Sequence, residues 1–235
     1  MVGNKNSFMT FIRSLLFYIL FYLSTIMIML CFLPTLLLPP KYSILPPKIW
    51  SHITLFLICY VCGLRCEIRG QEHLQAAKQD NGAILIACQH QSAWETLVLF
   101  AIFERPLFVL KKELLSIPII GWYFKKVGCI AVNRKGSGNV IKQLVNQAQD
   151  RLNKGRQLII FPEGTRNSSA KPMKLKAGIE RIQTATNIPV LPATLNSGKF
   201  WQRNGFYKHK GTVILQFYPP IEQDIREQLT TLFYE

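Results

Sequence analysis

A histidine, a glutamate and several cations stand where apolar runs of this sequence end, and they carry the chemistry it can offer. The run AILIAC at 83–88 leads through Gln89 into HQSAWE, His90 to Glu95. An imidazole at the exit of a strand can act as a general base when a carboxylate holds its far ring N–H. Glu95 is the candidate for that carboxylate. Five residues apart within one helix would set the two side chains about 140° apart, so the pairing requires His90 to precede the helix. The same residues support a second reading, because Ser92-Ala93-Trp94-Glu95 is a capping box in which Glu95 returns to the Ser92 backbone N–H. A third makes Ser92 a nucleophile activated by His90, although no nucleophile elbow surrounds it.

The second motif is FPEGTR, Phe161 to Arg166, directly after the run QLIIF. Backbone N–H groups around Gly164 and Thr165, with the planar fork of Arg166 beside them, suit a phosphate. The alternative is an ordinary turn, with Gly164 supplying positive φ and Glu163 paired to Arg166. Lys111 follows LFVL at 107–110, and Arg134 follows CIAV at 129–132 through Asn133. Both either converge on the same anion or are solvated surface cations. Lys125, Lys126 and KPMKLK at 171–176 read as solvated charge or membrane-surface contacts.

Positioning these groups requires a scaffold of strands and helices. Besides the runs named above, VLPATL at 190–195 and TVILQF at 212–217 read as strands. Between 139 and 152, Val140, Leu144, Ala148 and Leu152 recur four apart, with Gly155 as a stop, which predicts a helix. Alternation of this kind predicts an α/β fold, with a mixed, largely parallel sheet covered by helices. Ahead of it, Ser14 to Leu33 holds twenty uncharged residues, long enough as a helix to match the roughly 30 Å hydrocarbon core. The Pro-rich joint LPPKYSILPPK leads to a second apolar stretch, Ile49 to Leu64, too short to span unaided. The expectation is a membrane-associated helical hairpin over 1–68 and an α/β domain over 69–235. The hairpin either dips into one leaflet or crosses and returns.

Composition narrows the function class. With 28 Lys and Arg against 13 Asp and Glu, the chain of 235 residues has a formal charge of +15, which points to an anionic partner. Nucleic acid would account for the charge but not for the hairpin or the clustered motifs. Hydrophobic residues at 49% exclude a disordered chain. Six cysteines are too sparse for a disulfide scaffold and point to a reducing compartment. Cys59, Cys62 and Cys66 have ligand-like spacing, but no second Cys or His pair follows at zinc distance. Glycine-rich phosphate loops are absent, so neither a metal nor a nucleotide cofactor is expected.

Taken together, HQSAWE, KKELLSIPIIGW from Lys111 to Trp122, GCIAVNR from Gly128 to Arg134, FPEGTR, and IPVLPATLNSG from Ile188 to Gly198 resemble the bacterial 1-acyl-sn-glycerol-3-phosphate acyltransferase family. The likeness covers most of the chain, including the apolar hairpin. It implies the glycerolipid acyltransferase fold and a role in phospholipid biosynthesis. The reaction would move an acyl chain from acyl-CoA or acyl carrier protein to the free hydroxyl of lysophosphatidic acid, giving phosphatidic acid without a cofactor. The family usually has Asp where this chain has Glu95. Carried over, the resemblance makes His90 the base and Glu95 its orienting acid, with Lys111, Arg134, Glu163, Gly164, Thr165 and Arg166 tied to the acceptor phosphate. It further implies a place at the bacterial inner membrane, with the site facing the cytoplasm and the lipid bilayer as partner.

Overall fold

The computed structural model describes residues 3–133, 139–167 and 171–235, with side chains from Phe8 onward. Helix α1 (Gly3–Cys31) contains the first apolar segment up to Cys31, and two short 3-10 turns, Leu33–Leu36 and Pro40–Ile44, take its last residue and part of the joint. Helix α2 (Leu45–Cys62) starts before the expected Ile49, because Pro46 and Pro47 lie in its first turn, where a missing N–H costs no helical bond. Gly63, at φ 71°, ends it by returning its N–H to the Ile58 carbonyl. The helices are antiparallel: Trp50 Nε1 donates to Thr25 Oγ1 at 2.8 Å near one end, and the Cys62 thiol reaches the Arg13 carbonyl at 3.7 Å near the other. By length and composition, Phe8–Cys31 and Pro40–Cys62 are both apolar enough to cross a membrane.

The hairpin does not stand clear of the rest. At its tip the Tyr123 hydroxyl donates to the Phe32 carbonyl at 2.6 Å, and Lys126 Nζ donates to the Leu36 carbonyl. Toward its root Ser14 Oγ accepts the Lys208 N–H at 2.9 Å, while Lys208 Nζ donates to the Tyr18 hydroxyl at 2.8 Å. Burial pushes the Lys208 ammonium down to about 8. The side facing away exposes Leu15, Ile19, Leu23, Ile26 and Leu30 of α1, with Ile53, Phe56 and Tyr60 of α2.

Seven strands form one sheet. In chain order they are β1 (Leu64–Arg69), β2 (Ile84–Cys88), β3 (Pro106–Lys111), β4 (Ile130–Val132), β5 (Gln157–Ile160), β6 (Val190–Leu195) and β7 (Gly211–Phe217). They lie in the order β1-β7-β6-β2-β5-β3-β4. Every pairing is parallel except β6 with β7, where Ala193 faces Phe217 and Leu195 faces Leu215. The sheet is therefore mixed and largely parallel, with β1 and β7 running against the other five. Strands β2 and β5 are buried along their whole length, which is why they read as unbroken apolar runs.

Helices α3 (Glu72–Ala77), α4 (Trp94–Ile102), α5 (Ile120–Val127), α6 (Asn139–Asn153), α7 (Gly178–Thr186) and α8 (Ile225–Tyr234) complete the fold. Helix α2 packs on α4, and the joint packs on α5. Within α6, Leu144, Ala148 and Leu152 face the core as their spacing predicts. Gly155 stops it at φ 67°, where an added Cβ would lie 2.1 Å from the Asn81 carbonyl oxygen. The expected division at 68/69 falls inside β1, which pairs with β7 from Leu64 onward. Arg65, Glu67 and Arg69 point outward from this edge strand, so it carries no apolar run to betray it.

Candidate active site

Strand β2 delivers His90 to the carboxyl end of the parallel strands, just before α4 begins at Trp94. The histidine therefore precedes the helix, as the pairing requires. Its Nδ1 lies 2.8 Å from Glu95 Oε1, with the His90 side chain 16% exposed and the Glu95 side chain 0%. The same Oε1 accepts the Ser92 N–H at 2.7 Å, while Trp94 N–H donates to Ser92 Oγ at 2.9 Å. The Glu95 to Ser92 N–H bond of the expected capping box is thus present and shares a carboxylate oxygen with the imidazole, although the N-cap of α4 is Ala93 rather than Ser92. The second oxygen, Oε2, accepts from Ser92 Oγ at 2.8 Å and Ser197 Oγ at 2.9 Å. Every lone-pair direction of this buried carboxylate is thus met by a protein donor.

The geometry leaves His90 Nε2 without a hydrogen-bond partner among the described residues. The ring stacks on Phe161, centroid to centroid 4.0 Å at 15°, and Phe161 stacks in turn on Phe108. An imidazole whose Nδ1–H is held by a carboxylate presents a basic lone pair at Nε2. Ser92 is buried, and its hydroxyl is engaged by Glu95, Ser197 and the Trp94 N–H rather than by the imidazole. That environment does not suit a nucleophile.

The second motif joins the first through the backbone. Glu163 Oε2 accepts the His90 N–H at 2.7 Å, and the Asn167 N–H donates to the His90 carbonyl at 2.6 Å. Glu163 Oε1 accepts the Tyr234 hydroxyl at 2.8 Å. Burial raises the Glu163 pKa, opposed by the donors Tyr234 and His90 N–H. Both oxygens of Glu163 are on protein donors, so within this structure it braces the His90 loop. It is not paired with Arg166. Gly164, at φ 71°, turns the chain, and its N–H returns to the Phe161 carbonyl at 2.9 Å. Beyond it Arg166 is exposed, and Arg203 Nη1 donates to Thr165 Oγ1 at 3.1 Å.

His90, Glu95 and the turn of Glu163, Gly164, Thr165 and Arg166 are therefore brought together. Lys111 lies exposed at the same end of the sheet, on β3 beyond β5, and makes no hydrogen bond or ion pair with them. Arg134 lies outside the described residues. Sequence reasoning missed Ser197, Arg203 and Tyr234 as individual contributors. Only Ser197 had a signal, as part of the stretch ending in LNSG. It also missed two glutamines: Gln89 donates to the Phe233 carbonyl at 2.5 Å and accepts the Leu195 N–H at 3.1 Å, and Gln91 accepts the Gly198 N–H at 3.0 Å. These bonds tie the His90 loop to β6, α8 and the turn after β6.

The profile of the family described as Acyltransferase matches residues 65–196, more than half of the chain, and takes in His90, Glu95 and the turn of Glu163 to Arg166, while Ser197, Gly198, Arg203 and the terminal residues lie beyond it. The chain belongs to the acyltransferase family. A 1-acyl-sn-glycerol-3-phosphate acyltransferase of Pseudomonas aeruginosa is 35% identical over 164 residues, 70% of this chain and 62% of that protein. One of Cocos nucifera, with the same name, is 25% identical over 204 residues, covering 86% of this acyltransferase-family chain and 63% of the relative. The match thus spans somewhat less than two thirds of either relative's own length. The crystal structure of a 1-acyl-sn-glycerophosphate (LPA) acyltransferase from Thermotoga maritima superposes with a TM-score of 0.74, covering 94% of both chains at 19% identity. The acyltransferase-family fold is shared at that distance.

Proposed function

We propose that this protein transfers an acyl chain from a thioester, acyl-CoA or acyl carrier protein, to the free hydroxyl of lysophosphatidic acid, yielding phosphatidic acid. The observation that carries the reading is the His90 Nδ1 to Glu95 contact of 2.8 Å, with Nε2 unpartnered among the described residues beside the FPEGTR turn. In this mechanism Nε2 takes the acceptor hydroxyl proton as the oxygen attacks the thioester carbonyl. Glu95 stabilises the imidazolium. Collapse of the tetrahedral adduct breaks the carbon–sulfur bond, and the imidazolium returns its proton to the leaving thiolate. The thioester supplies its own leaving group, so the reaction needs no metal or prosthetic group. Alignment and proton removal are what the protein contributes.

Arg166, with Thr165 and the nearby Arg203, forms a donor cluster suited to the acceptor phosphate, and Lys111 and Arg134 are further candidates for it. Replacing Arg166 by Ala is expected to raise the acceptor KM about tenfold or more, the worth of one charge-assisted contact. The thioester KM should move much less. Lys should rescue only part of the loss, since it keeps the charge without the fork. An unchanged preference for lysophosphatidate over lysophosphatidylcholine in Arg166→Ala would remove the phosphate assignment. Acyl transfer to a different lysolipid would then be the better reading.

The hairpin supports a place at a membrane. Its tip is held to α5 and its root to the segment around Lys208, so the apolar outer side runs along the α/β unit. That geometry supports insertion from one face of a bilayer, and the likeness to bacterial relatives points to an inner membrane with the site toward the cytoplasm. Burying each Leu-sized side chain contributes about 1.5–3 kcal/mol, while surface cations contribute about 1 kcal/mol each and are screened by salt. The protein should therefore remain in the membrane pellet through a high-salt wash. Release by salt alone would show that charge, not the hairpin, holds it.

A further inference from the structure

Where the hairpin meets the edge of the sheet, a recess of about 360 Å³ is lined by Arg13, Cys59, Tyr60, Gly63, Arg65 and Lys210. Three elements converge there: α1 contributes Arg13, the start of β1 contributes Arg65, and the residue before β7 contributes Lys210. None of the three cations has a carboxylate partner among the described residues. The Lys210 stem lies against Gly63, where an added Cβ would come within 3.0 Å of its Cγ. Lys208 adds positive charge nearby, its own Nζ bonded to Tyr18 and the Gly205 carbonyl.

The placement of this recess relative to the reaction site follows from the topology. Strand β7 is antiparallel to β6, and β1 is parallel to β7. The starts of β1 and β7 therefore lie at the same end of the sheet as the carboxyl ends of β2 and β6, where His90 stands. Three strand spacings across the sheet, from β2 to β1, and about four residues along it, since the register sets His90 level with Ile68 rather than Leu64, separate them by roughly 20 Å. On the hairpin side the recess is continuous with apolar surface. Met9 and Leu16, one turn either side of Arg13, are exposed, and Tyr60 packs on Phe56 at 4.4 Å with both rings exposed.

We infer that the recess binds the phosphate of an anionic bilayer phospholipid, a lipid separate from the acceptor, with its acyl chains along Met9, Leu16 and Phe56. Cations without acidic partners, set beside exposed apolar and aromatic side chains, match a ligand that is a phosphate at one end and hydrocarbon at the other. The inference rests on the membrane association proposed above but not on acyl transfer.

The test is native mass spectrometry of the full chain in nonionic detergent, titrated with phosphatidylglycerol. Wild type should take up one lipid tightly. Arg13→Ala/Arg65→Ala/Lys210→Ala should bind it at least about tenfold more weakly, as loss of three surface cations implies. A charge-matched control, Lys78→Ala/Lys142→Ala/Arg181→Ala, should bind as wild type does, and so should His90→Ala, which separates this binding from turnover. Arg65→Glu, a reversal at one exposed strand position, provides the same reading should the triple variant not fold. Equal binding of phosphatidylglycerol to wild type and to these recess variants would overturn the inference, as would equally tight binding of phosphatidylcholine by wild type. Displacement of the lipid by inorganic phosphate would instead reveal a free-anion site. Displacement by adenosine 3′,5′-bisphosphate would reveal a site for the nucleotide of a coenzyme A donor. Either also overturns it.

Discussion

Replacing His90 by Ala is expected to lower turnover by at least about two orders of magnitude in a protein that remains folded. The size follows from losing the group that, among the described residues, the geometry offers as a base for the acceptor hydroxyl. The fold should survive because the His90 loop is held by its backbone, through Glu163 and the Asn167 N–H, and neither contact uses the imidazole. Glu95 would lose one donor but keep the Ser92 N–H and the hydroxyls of Ser92 and Ser197. Initial rates beside a thermal melt check both halves. Near-normal turnover in a folded variant would reject His90 as the base.

Substitutions at Glu95 separate its two duties. Ala removes the acceptor for His90 Nδ1, the Ser92 N–H and two buried hydroxyls, so activity should nearly vanish. Stability should fall by about 1–3 kcal/mol, the cost of leaving buried donors unpaired. Gln keeps the size and one carbonyl oxygen but loses the charge that stabilises an imidazolium, so it should stay close to wild type in stability while losing about a hundredfold in turnover. Asp keeps the charge on a chain one methylene shorter and should retain measurable activity. If Glu95 only caps α4, Gln and Asp would turn over normally and Ala would show a stability defect with little loss of rate. Melting curves and kcat across the three variants decide between these patterns.

The reach of the sequence varied with the physics of each element. Strands β2, β5 and β6 were legible because burial on both faces makes them largely apolar runs, Thr194 of β6 being the half-buried exception. Strand β1 was not, since half of its side chains are charged and face solvent at a sheet edge. The long apolar helices were visible in composition, but their docking on α5 and on Lys208 depends on contacts that span the chain. At the site, the position of His90 after a strand was readable. The sharing of Glu95 between cap and imidazole was not, because both duties need the same local residues. Glu163 illustrates the limit most clearly. A loop read as an anion site turns its carboxylate inward, onto partners 73 and 71 residues away. Arg203 sits in a polar segment with no periodicity to mark it.

The most direct test of acyl transfer to a phosphorylated lysolipid is the product formed by the purified full chain from acyl-CoA and a panel of lyso-acceptors. Phosphatidic acid should form from lysophosphatidate, with lysophosphatidylcholine and lysophosphatidylethanolamine used poorly and the same reaction absent in His90→Ala. Efficient acylation of lysophosphatidylcholine with none of lysophosphatidate, or no acyl transfer to any of them from either acyl-CoA or acyl carrier protein, would contradict it.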